Sequence, residues 1–182
     1  MAQAGSGPRA QGAGLRALER MQLTFDELKR YTEEERDKWR AWFVAHPEAL
    51  EVELQPGGRF SSVGALIDHI FLVERRHLQR LRGIAPDSTT GLSGRHAPPL
   101  FDYGASVRRE LDQFVSDLDE DVANQSRTFT VQTGEFVLTP RKLLFHCLLH
   151  ETRHWAQIAL AIRRAGLEPP GNHDLFYSRA LK

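Results

Sequence analysis

The chain has 182 residues, 41% of them apolar and 26% charged, enough for one domain with a sizeable core. Its 24 Lys and Arg balance 24 Asp and Glu, which argues against nucleic acid or an anionic membrane as partner. One cysteine, Cys147, excludes an intrachain disulfide and a cysteine-rich metal knuckle, and nowhere do about 18 apolar residues run together to span a membrane.

Residues 1–14 are rich in Gly and Ala without periodicity and read as a disordered tail. They lack the apolar core of a signal peptide, so the expectation is a soluble cytoplasmic protein with one domain over 15–182. Apolar residues at Leu15, Leu18, Met21, Leu28, Trp39, Trp42 and Phe43 mark a first helix running to Pro47. Its middle, Lys29 to Lys38, is so polar that the helix is either exposed there or broken near Tyr31-Thr32. Trp39, Trp42 and Phe43 serve as core or as the face of a homodimer.

A second helix starts at Ser61 or Ser62 as cap, carries Leu66, Ile70, Val73 and Leu81 on its apolar face, and stops at Gly83. Residues 84–101 read as a long crossing loop. A third helix is expected from Tyr103 to Ala123, capped by Asp102. Thr128 to Val131 and Glu135 to Leu138, separated by Gln-Thr-Gly, signal a small β-hairpin. Thr139-Pro140 opens the last helix, which runs to Arg164 and is stopped by Gly166. The tail packs through Leu175, Phe176 and Tyr177. Four substantial helices with one small hairpin predict an all-α four-helix bundle.

The last helix contains HETRH, residues 150–154, a match to the zinc-peptidase pattern H-E-x-x-H. His150 and His154 lie one turn apart on one face and can grip one ion. The peptidase reading lacks support downstream, where WAQIAL offers neither the Gly nor the third His of the elongated motif, and Glu168 lies beyond the helix. A better third ligand lies upstream. His69 sits roughly 12 Å into the second helix, and His150 and His154 roughly 16 and 22 Å into the last. A modest offset between parallel helices brings the three level, leaving a coordination position open as in catalytic sites. His146 and His77 are weaker rivals, while His46, His96 and His173 carry no mark of a ligand. Glu151 and Gln157 are weak candidates for base or orienting roles, Asp68 points away, and Cys147 reads as a small buried hydrophobe. No cofactor loop or anion cradle is recognisable.

SSVGALIDHIFLVERRHLQRL and LTPRKLLFHCLLHETRHWAQIALAIRRAGLEPP resemble the DinB/YfiT-like family of metal-binding four-helix proteins, over most of the chain from about residue 15. The resemblance implies the same three ligands, His69, His150 and His154, holding nickel, zinc or iron. The family pattern after the second ligand reads Glu-Thr-His-His-Arg-Gly-Gln. Here Arg153, Trp155 and Ala156 depart from it and Gln157 agrees. Members include transferases and isomerases that use low-molecular-weight thiols. The leading expectation is therefore a metal-dependent enzyme activating water or such a thiol toward a small-molecule substrate, as a hydrolase or thiol transferase. The alternatives are a non-catalytic metal-binding or dimeric stress-related bundle, and a plain helical interaction module whose histidines only pack.

Overall fold

A computed structural model describes residues 22–55, 57–131 and 133–181. Four long helices, α1 (Phe25–Ala45), α2 (Val63–Leu81), α3 (Ala97–Ser116) and α5 (Pro140–Arg164), form an all-α bundle. A short helix α4 (Glu120–Asn124) and an antiparallel hairpin of β1 (Arg127–Val131) and β2 (Gly134–Leu138) precede α5, with Phe129 opposite Phe136 in the register. The expected tail at 1–14 and the apolar positions Leu15, Leu18 and Met21 lie outside the described residues.

Each long helix starts for a local reason. Thr24 opens α1 with a capping box: its hydroxyl accepts from the Glu27 amide at 3.2 Å, and the Glu27 carboxylate accepts from the Thr24 amide at 2.8 Å. Ser62 caps α2 by accepting from Ala65. Thr139 caps α5 by accepting from Lys142, with Pro140 in the first turn, where a missing N–H costs nothing. At the far ends, Gly83 and Gly166 take φ of +70° and +79°, open to glycine without strain.

The third helix differs from expectation at both ends. It begins at Ala97 rather than Tyr103, because Pro98 and Pro99 fall in its first turn, where proline is tolerated. Asp102 is no cap; it lies inside the helix and pairs with Arg40 at 2.6 Å. The helix ends at Ser116, and Asp119 caps the separate α4 by accepting from the Asp121 and Val122 amides. Nor is α1 broken at Tyr31-Thr32 or exposed through its polar middle: Tyr31, Thr32, Glu35 and Arg36 are all buried. The reason is an ion-pair network described below.

The core is aromatic at its centre. Trp39, Phe43, Phe71, Phe101 and Trp155 are all buried, and Trp155 stacks between Trp39 and Phe101 at centroid distances of 5.4 and 6.1 Å. Trp39 and Phe43 are thus core residues. α2 packs against both α3 and α5, and α1 closes the bundle against the same two. Gly104 lets α3 approach α2: a Cβ there would sit 2.8 Å from the Phe71 ring. The tail does not pack as expected. Leu175, Phe176 and Tyr177 are exposed, and the segment is held instead by polar contacts and by Ala180. Tyr31 donates to the His173 carbonyl at 2.6 Å, and the His173 ring stacks on Trp39. None of the described helices is long and apolar enough to cross a membrane.

Candidate metal centre

α2 supplies His69 and α5 supplies His150 and His154, and the three rings meet. Centroid distances are 5.2 Å for His69 to His150, 5.4 Å for His69 to His154, and 4.3 Å between the α5 pair. One nitrogen from each lies within 4.8 Å of the others, a group able to hold a metal ion. Among the described residues no fourth His, Cys, Asp or Glu joins it. All three are half-buried, so the group is open on one side.

The hydrogen bonding fits a cation. Gln157 Oε1 accepts from His154 Nδ1 at 2.6 Å, which leaves the lone pair on Nε2. That Nε2 faces His150 Nε2 at 3.0 Å, near the roughly 3.3 Å separating two nitrogens bound tetrahedrally to one ion. His150 Nε2 either donates to this lone pair or, in its other tautomer, can share a cation with it. The three histidines therefore suit a divalent metal.

Protonation supports the same reading. Burial, then the neighbouring imidazoles, pushes His150 down to about 2. Burial, His154 and Arg59 bring His69 to about 4, and burial also lowers His154. All three are neutral at pH 7, the form that binds metal. Metal affinity is accordingly expected to hold as pH falls to 6.5, the ordinary imidazole value, and to weaken below it, with His69 taking a proton at about 4. Dialysis at stepped pH followed by metal analysis checks this; loss centred near 6.5 would contradict it.

His146 and His77 extend the row away from the cluster. His146 lies 5.5 Å from His150 and His77 lies 5.3 Å from His146. His77 is buried and pushed down to about 3, first by burial and then by His146 and Arg80. Neither joins the three-nitrogen group. His46 stacks on Trp42, His96 stands before α3, and His173 pairs with Glu35, all apart from the cluster. Asp68 is engaged by the Thr90 hydroxyl. Burial pushes the Cys147 thiol up, and it donates to the Leu143 carbonyl.

Glu151 points the other way, into the bundle. Its carboxylate accepts from Arg36 Nε at 2.6 Å and Nη2 at 2.8 Å, from Arg108 Nη2 at 2.9 Å, and from Trp155 Nε1 at 3.0 Å. Glu74 accepts from the same two arginines, with Arg108 Nε at 2.8 Å. Arg108 also donates to Thr32 Oγ1, and Arg36 to the Gly104 carbonyl. Two guanidiniums and two carboxylates, all buried, thus balance their charges. Burial alone would raise Glu74, but Arg108 and Arg36 outweigh it and hold the carboxyl down at about 2.

Two residues of the site carry no signal in a motif. Phe60, in the loop before α2, lies against His69 at 4.6 Å and edge-on to His154 at 6.3 Å. Arg59 lies over Phe60 at 5.2 Å. Beyond His154 and Gln157, this loop and the end of α5 line a cleft of about 390 Å³.

The sequence profile of the DinB family matches residues 21–180. No curated protein matches the chain.

Proposed function

The chain belongs to the DinB family, and on that premise we propose that it is a metal-dependent enzyme in which His69, His150 and His154 hold nickel, zinc or iron. The observation that carries this reading is the convergence of three neutral, half-buried imidazoles without a fourth ligand among the described residues, next to an open cleft. A divalent ion there supplies Lewis acidity that lowers the pKa of water or a low-molecular-weight thiol. Gln157 fixes the tautomer of His154, and Phe60 shields His69 from solvent on one side.

The position of Glu151 favours thiol over peptide chemistry. H-E-x-x-H peptidases use the intervening Glu as base, and here both its oxygens are taken by arginines and an indole. A thiol, with an ordinary pKa of about 8.5, needs far less help to ionise than water. Three neutral ligands also leave the ion's charge uncompensated, which favours a thiolate. The reaction is thiol transfer to, or hydrolysis of, a small electrophilic substrate, in a cytoplasmic protein.

The alternative, a non-catalytic metal-binding or dimeric stress-related bundle, requires a fourth side chain to close the coordination. The test is turnover of aryl halide, epoxide and ester substrates with low-molecular-weight thiols by metal-loaded protein. Turnover that vanishes on chelation and in His69→Ala is the expected result. Full loading without turnover of any substrate would favour the alternative.

A further inference from the structure

The cleft beside the histidines has a composition that selects its ligand. Its floor and walls are Leu54, Phe60, Leu66 and Leu160, and Arg59 and Arg164 line it too, one from the loop before α2 and one from the end of α5. Both arginines are exposed, and neither forms an ion pair with a described residue. Arg36, Arg40, Arg75, Arg82, Arg95 and Arg108 each have a carboxylate partner, and among the other described arginines Arg59 and Arg164 are the two that line this cleft. Arg59 is already oriented by its contact with the Phe60 face, 5.2 Å from the ring centre.

From this we propose that the cleft binds a small organic monocarboxylate with an apolar body, its carboxylate held by Arg59 and Arg164 and its apolar part lying along Leu54, Phe60 and Leu160 toward His154. The inference rests on the preceding reading only in taking this ligand as the substrate of the same site. The guanidinium is planar and forks onto a carboxylate with two parallel hydrogen bonds. Gln157, also in the lining, offers a neutral amide and adds no opposing charge. The carbonyl end of α5 beside Arg164 carries partial negative charge, which opposes an anion there and weighs more against two charges than against one. A cleft of about 390 Å³ falls at the small end of ligand pockets, sized for a short aliphatic or phenyl-bearing acid. The reacting end would then face the histidines, and the arginines would set which end enters.

The test is isothermal titration with 4-phenylbutyrate and its uncharged amide, on metal-loaded and metal-free protein. The variants are Arg59→Gln, Arg164→Gln and, as control, Arg163→Gln, whose side chain lines a different cleft with Tyr31 and His173. Both arginines are exposed, so the variants are expected to fold; circular dichroism checks it. The expected result is acid binding in both metal states, weakened about tenfold or more by each of the two cleft variants and by the amide, and unchanged in Arg163→Gln. Equal binding of acid and amide, indifference to both cleft variants, or no binding of the acid overturns the proposal. Acid binding that needs the metal but ignores the arginines also overturns it, while leaving the metal site standing. Arginine-dependent binding in a protein that retains no metal supports the carboxylate site and removes the metal-dependent reading.

Discussion

Replacing Glu74 with Ala is expected to destabilise the protein by about 3–5 kcal/mol, the range seen when one member of a buried ion pair is removed. Glu74 is 3% exposed and accepts from both Arg36 and Arg108. Its loss leaves two buried guanidiniums against the buried carboxylate of Glu151, with only the more exposed Glu33, 4.0 Å from Arg108, to offset the excess charge. Glu74→Gln keeps the volume but not the charge, so it should recover only a minor part. Replacing the whole quartet with apolar residues of similar size should cost far less than Glu74→Ala, because no charge is then left unpaired. Urea denaturation of the variants checks each value. A loss below about 1 kcal/mol for Glu74→Ala would mean that the network is not sealed from solvent.

The second large effect concerns the histidines. His150→Ala is expected to lower metal affinity by more than about a hundredfold, beyond the 10–100-fold typical of residues that only support a ligand. Gln157→Ala, which frees His154 Nδ1, should fall within that smaller range. His146→Ala should leave metal content unchanged, since His146 touches His150 but lies outside the three-nitrogen group. Competition titration with a chromophoric chelator gives all three values. A His146 effect as large as that of His150 would move the site along α5.

The histidine cluster was legible in the sequence because helical spacing and depth are local quantities. His150 and His154 are four apart, and the distances of His69 and the pair from their helix starts already place them near one level. The hairpin and α5 followed equally from Gln-Thr-Gly and Thr-Pro. The start of α3 did not, because Pro98-Pro99 marks both a loop and a helix first turn, and the sequence alone does not separate the two.

The buried quartet was missed for a different reason. Thr32, Arg36, Trp39 and Phe43 form one helical stripe, as do Ile67, Phe71, Glu74 and Leu78 on α2, and Leu148, Glu151, Trp155 and Ile158 on α5. Each charged residue thus stands on the core face of its helix, a signal visible at spacing three and four. Read helix by helix, each is an exception to the apolar stripe. Only the meeting of α1, α2, α3 and α5 reveals that the exceptions cancel one another. The same limit hid Phe60 and Arg59, which reach the site from a loop with no periodicity to place them.

Glu151 joins the two systems. It sits between ligand positions in HETRH, yet its side chain belongs to the core, where it ties α5 to α1 and α3. The letters of the peptidase motif are therefore met by a residue that anchors the helix bearing two of the histidines.

The most direct measurement of the three-histidine site is X-ray absorption at the edge of the metal found in protein purified without added metal or chelator. The account predicts a near-stoichiometric ion with three imidazole nitrogens at about 2.0–2.1 Å if it is zinc, together with lighter or sulfur scatterers at the open position, and a signal that disappears in His69→Ala. An ion with fewer than three imidazoles, or no ion retained even after reloading with nickel, zinc and iron, would contradict it.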